Sequence, residues 1–297
     1  TSLNFTAADV VAPILSSTSP TDNATGVAAG ANIVLTFNEN VAAGSGNITL
    51  KKSSDNSTVQ AMAVGGANVS ISGAVVTINP TANLASSQGY YVQVDATAID
   101  DTSGNSFAGI SDTTTLSFTA ADSAGPAIAS SSPADNATGV AVDANIILTF
   151  DENVVVGSGN ITLKKSSDNS TVQAMPVGGG NVSASGAVVT INPSANLDSS
   201  QGYYIQIAAT AFDDASGNSY AGVNDTTSLN FTAADVLGPT LSSSSPADNA
   251  TGVAGGANIV LTFNENVVLG SGNVSLYKTN GTLVEAMNVS SSAVTAS

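Results

Sequence analysis

Any metal site in this chain must be built almost wholly from oxygen. The sequence has no histidine and no cysteine, and Asp and Glu outnumber Lys and Arg 22 to 5. Thiolate and imidazole sites for zinc or copper are thereby excluded, as are disulfides and cysteine nucleophiles. A serine nucleophile would lack the adjacent base that it needs. What remains is hard-cation chemistry, because Ca2+ takes about six to eight oxygens from carboxylates, amide carbonyls and backbone. The acids that could supply them recur as a set. Asp9, Glu39, Asp100 and Asp101, with Asn105, return as Asp122, Glu152, Asp213 and Asp214, with Asn218. Asp235 and Glu265 begin a third set that has no Asp-Asp pair after it. Paired carboxylates could also cleave glycosides. Here, however, the pair is repeated in segments rich in turn residues, and there is no Trp on which a sugar could rest. The chain reads as a non-enzyme.

The recurrence extends to the whole sequence. Pro20, Pro133 and Pro246 are equivalent, as are Phe5, Phe118 and Phe231, and each step is 113 residues (133 − 20 and 246 − 133). The block from Gly44 to Met62 returns letter for letter from Gly157 to Met175. A fixed period of this length marks an array of modules. Residues 1–9 match the final strand of a preceding module, 10–122 and 123–235 are complete modules, and 236–297 match the first half of another. An active site is usually built once, whereas a spacer, stalk or multivalent surface is built by repetition. The formal charge of −17 and the absence of arginine argue against nucleic acid and anionic lipid as partners. No apolar run is long enough to span a bilayer, so membrane insertion of this segment is not expected, and no signal peptide or anchor is visible in it.

The periodicity is that of strands. Ile33, Leu35 and Phe37 fall on one face of Ala31–Phe37, and Tyr90, Val92 and Val94 alternate with Tyr91, Gln93 and Asp95. A period of two with one apolar face predicts half-buried strands, and the abundant Thr and Val favour them. Strands are expected near 12–18, 31–37, 47–52, 57–63, 67–71, 74–79, 89–97 and 114–120. Turn clusters such as Pro20–Gly26 and Asp100–Gly104 separate some of them. Seven or eight short strands per module predict an all-β fold of tandem antiparallel two-sheet sandwiches. Leu84 precedes Tyr90 by six residues (90 − 84), as Leu197 precedes Tyr203. That spacing predicts a tyrosine corner, with the hydroxyl bonded back to the chain before its strand.

Ser132–Val154 (SPADNATGVAVDANIILTFDENV), the GSGNITLKK and VTINP runs, the Leu…GYY segment and DDASGNSYAG together resemble the bacterial Ig-like domain of S-layer proteins and large surface adhesins. Glu39-Asn40 stands where many relatives have Glu-Pro. The resemblance implies Ig-like or fibronectin-III-like sandwiches in an elongated array, outside the cell or on a bacterial surface, as stalks, extenders or fibre components.

In a sandwich of this topology the loop after the second strand and the loop before the last strand lie at the end where the chain enters. Asp9, Glu39, Asp100, Asp101 and Asn105 are then expected at one joint, and Asp122, Glu152, Asp213, Asp214 and Asn218 at the next. A Ca2+ shared by the linker Asp and the following loops would fix the angle between modules. The competing reading is that these residues are turn formers. The expected partners are neighbouring modules, other copies of the chain in a fibre joined by strand exchange, or surface glycans bound by an adhesin-like module. The dense Asn-x-Ser/Thr sequons reflect composition or accept glycans. Lys51-Lys52 and Lys164-Lys165 are either solvated strand lysines or, if buried beside an acid and Asn, partners in an isopeptide bond.

Overall fold

A computed structural model describes residues 3, 4 and 7–296. Every regular element among them is a strand, and no helix is long and apolar enough to cross a membrane. The first module runs β1 (Leu15–Ser19), β2 (Ala24–Val27), β3 (Ile33–Phe37), β4 (Val41–Ala43), β5 (Asn47–Lys52) and β6 (Thr58–Ala63). It continues through β7 (Val69–Ser72), β8 (Val75–Ile78), β9 (Gly89–Val94), β10 (Ile99–Asp101) and β11 (Ser117–Ala120). One sheet has the order β1-β3-β8-β7, the facing sheet β2-β11-β9-β5-β6, and β4 pairs with β10 alone. The second module repeats the plan from β12 (Ile128–Ser132) to β22 (Asn230–Ala233).

The alternation read from sequence is what closes each sandwich. Ile33, Leu35 and Phe37 are buried from one sheet, and Ile48, Leu50, Tyr90 and Val92 from the other. Strands with one apolar face can hide it only by facing another sheet, so each module forms its own core, from Ile33 to Ala120 and from Ile146 to Ala233. The tyrosine corner is present in both. The Ala85 amide donates to the Tyr90 hydroxyl at 2.8 Å, and the Asp198 amide donates to Tyr203 at 2.8 Å. Each ring is stacked in the core, Tyr90 on Phe118 and Tyr203 on Phe231.

Three short strands were not expected. β2 lies in the Pro20–Gly26 turn cluster, β10 overlaps the Asp100–Gly104 cluster, and β4 falls between two expected strands. β2 runs parallel to β11, so the second sheet is not wholly antiparallel. Stretches as short as Ala24–Val27 show no alternation, and only their neighbours make them strands. Of residues 1–9, matched above to the final strand of a preceding module, residues 1, 2, 5 and 6 lie outside the described residues, while Leu3 is exposed. Beyond residue 235, β23 (Leu241–Ser245) pairs with β24 (Val260–Phe263), and β25 (Asn273–Tyr277) with β26 (Leu283–Asn288). These strands lack a closed core. Leu261 is 41% exposed where its equivalent in the second module, Leu148, is fully buried.

Candidate metal centres at the module joints

The short β4–β10 ladder builds the first centre. Its register sets Asp101 opposite Val41, Asp100 opposite Ala42 and Ile99 opposite Ala43. The turn between β3 and β4 carries Glu39, so the ladder brings Asp101 close to that turn. Gly44 follows β4 with its backbone against the Thr97 carbonyl, where a Cβ would collide. Successive residues of a strand face opposite sides. Asp101 therefore turns inward, 3% exposed, while Asp100 accepts a hydrogen bond from the Ser106 hydroxyl.

Asp101 is held firmly. One carboxylate oxygen accepts the Ser103 and Asn105 amides, each at 2.8 Å, and the other accepts the Asn105 side-chain amide at 2.6 Å. The same Asn105 amide donates to the Asp9 carbonyl at 3.3 Å, which ties the linker to the loop. Burial pushes the Asp101 pKa up, but donation from the Asn105 side chain and from the Asn105, Ser103 and Gly104 backbone outweighs it, so the group titrates below the usual carboxylate range. Glu39 goes the other way. Burial first, then the charges of Asp9 and Asp101, raise its pKa.

Carboxylate oxygens of Asp9, Glu39 and Asp101 all lie within 4.8 Å of one another, and those of Asp122, Glu152 and Asp214 do the same at the next joint. Two oxygens on opposite sides of a Ca2+ with bonds of 2.3–2.6 Å stand about 4.6–5.2 Å apart. The span suits that ion, and three carboxylates offer up to six oxygens. Among the described residues the ion pair is Lys165 with Asp198, so no lysine pairs with a carboxylate of either group. In the second joint Asp214 is 2% exposed and accepts the Ser216 and Asn218 amides at 2.8 Å and the Asn218 side chain at 2.7 Å. Burial, then Asp122, Asp214 and Asp151, raise the Glu152 pKa.

The structure thus gathers six of the twelve candidates into two triads. Asp100 and Asp213 stand outside them because strand alternation turns them toward Ser106 and Ser219. Asn105 and Asn218 serve as donors that orient Asp101 and Asp214. Asp235 lies beside Glu265, and hydrogen bonds led by Ser199 hold its pKa down. Two kinds of joint residue were missed. The Asn38 side-chain oxygen accepts the Ile14 amide at 2.7 Å, and the Asn38 backbone amide donates to the Ile14 carbonyl at 3.0 Å. Asp151 and Asn264 do the same for Ala127 and Thr240. Ser86 and Ser199 bind the next linker. The 113-residue recurrence links Asn38, Asp151 and Asn264, and equally Ser86 and Ser199 (199 − 86), but in a chain repeated almost throughout it singles none of them out. None of the paired lysines is buried. Lys51 and Lys164 sit over Tyr91 and Tyr204, and Lys165 pairs with Asp198 at 2.7 Å.

Repeated two-sheet sandwiches with acidic joints define a tandem array of Ig-type modules. The chain belongs to the bacterial Ig-like domain family, whose model matches residues 9–120, 122–233 and 235–296. Solved structures with similar chains include the N-terminal part of the bacterial S-layer protein SbsC, at 16% identity over 63% of this chain and 42% of that one, with a TM-score of 0.27. They also include the Drosophila receptor protein tyrosine phosphatase DLAR Ig1-2 module, at 11% identity over 77% of this chain and 97% of that one, with a TM-score of 0.19. A third is a biofilm-associated protein BSP domain, at 12% over 76% and 30%, with a TM-score of 0.19. Similarity this low carries no functional argument. The chain spans 42% of the first of these structures. No curated protein matches it.

Proposed function

We propose that this chain is a structural segment of a bacterial extracellular or cell-surface protein, a stalk, spacer or fibre component, and that Ca2+ stiffens its module joints. The observation that carries the reading is the repeated triad, in which one carboxylate comes from the linker and two from the following module, within 4.8 Å of one another and, among the described residues, without an ion pair to lysine. Residues that only formed turns would have no need to converge from three separate segments. The acid-rich, arginine-free composition and the array architecture support an exterior mechanical role over a catalytic one. Bound Ca2+ would supply positive charge shared between linker and module, with Asp101 and Asp214 as pre-oriented ligands and Glu39 and Glu152 as the members relieved of repulsion.

The test is thermal unfolding in chelator and in millimolar Ca2+. Calcium raises the melting temperature of the parent chain, since a ligand bound only by the folded state stabilises it. The double variant Glu39→Gln, Glu152→Gln behaves oppositely. It melts higher than the parent in chelator, because a like charge is gone from each triad, and it gains little from calcium. Identical melts of the parent in both buffers would sink the proposal.

A further inference from the structure

The linker from Ser123 to Pro126 is held from the module before it. The Asp122 carboxylate accepts the Ser86 hydroxyl at 2.7 Å, and the Ser86 oxygen accepts the Ser123 amide at 2.8 Å and the Ala124 amide at 3.2 Å. Ser86 is itself placed by the core. Its neighbour Ala85 donates to the Tyr90 hydroxyl, and Tyr90 is buried against Phe118. The following module holds the other side. The Gly125 backbone rests on the Ser219 carbonyl so closely that a Cβ would collide, and the Ala127 amide donates to Asp151 at 2.7 Å. The first half of this arrangement recurs. Tyr203 holds the Asp198 amide, the Ser199 hydroxyl donates to Asp235 at 2.8 Å, and the Val236 amide donates to Ser199 at 2.9 Å.

We infer that Ser86 and Ser199 are positioning residues of the joints. Each makes the linker carboxylate a rigid extension of the module before it, so that Asp122 reaches Glu152 and Asp214 from one direction. The tyrosine corner is the root of this latch, transmitting the orientation of the core to the linker. The latch is made by the chain's own hydrogen bonds and operates with or without a cation, so it stands apart from the calcium reading.

The test uses the full chain with exposed Ser70 and Ser183 replaced by Cys and spin-labelled; the natural chain has no cysteine to interfere. In chelator, the parent gives one narrow distance distribution between the modules. Ser86→Ala removes three hydrogen bonds and raises the population outside the main peak at least about fivefold, the factor that corresponds to about 1 kcal/mol for the net loss of one of them. Ser86→Thr keeps the hydroxyl and keeps the peak. Tyr90→Phe keeps the serine but removes the hydroxyl that holds the Ala85 amide beside it, and broadens the distribution in the same sense. A Ser86→Ala distribution that superimposes on the parent overturns the inference. So does equal broadening by Ser199→Ala, which spares the latch being measured and would mean that the modules had loosened generally. Repeating the series in millimolar Ca2+ separates the two readings. A parent indifferent to calcium counts against the cation while leaving the contrast between Ser86→Ala and parent intact.

Discussion

Asp100 and Asp101 are adjacent in sequence and opposite in role. Asp101 is buried, triply hydrogen-bonded and part of a triad, while Asp100 faces Ser106. Carboxylates held this way resist protonation, and Asp225 shows the effect away from the joints. The Thr227 amide, the Ser228 hydroxyl and the Ser228 amide hold its pKa down to about 2, against an ordinary 3.8. A depressed folded-state pKa stabilises the fold above the ordinary value, and that contribution is lost as pH falls from about 4 to about 2. Asp225→Asn therefore lowers the melting temperature at neutral pH, and its deficit against the parent closes over that acid window; a deficit that persists unchanged at about pH 2 would contradict the assignment. That an acidic pair existed at residues 100 and 101 was plain from composition and repetition. Which of the two points into the joint was not, because it depends on the β4–β10 register, and Val-Ala-Ala against Ile-Asp-Asp is too short to show a period.

Strands with several turns of alternation were legible. β3, β5 and β9 fall where Ile33–Phe37, Ile48–Leu50 and Tyr90–Val94 place their apolar faces. β2, β4 and β10 were not, since their strand character comes from the partner they pair with and not from their own residues. The tyrosine corner was readable from the Leu-to-Tyr spacing because it is a local device with a fixed reach. It also carries a stability prediction. Tyr203→Phe leaves the Asp198 amide without its acceptor and destabilises the second module by about 1–3 kcal/mol. Denaturant unfolding reads this directly; a midpoint indistinguishable from the parent would show the bond to be dispensable. The latch on Ser86 and Ser199 was invisible to the same reading, because a single serine carries no periodicity and its partner lies 36 residues away at Asp122 (122 − 86).

Each described core closes within its own 113-residue unit, so the properties of the array rest on what joins one unit to the next. Repetition made the modules visible before any geometry, and the family match recovers the same spacing between starts at 9, 122 and 235. The convergence of linker and loop acids followed from the sandwich topology once that was read. The identity of a bound ion did not, because oxygen ligands alone specify hardness and charge but not occupancy. The most direct measurement is therefore a calorimetric titration of the chelator-treated full chain with CaCl2. Two saturable sites per chain, one for each triad, with both lost in Asp101→Asn, Asp214→Asn, are the predicted result. A titration indistinguishable from dilution heat would mean that the joints are held by hydrogen bonds alone.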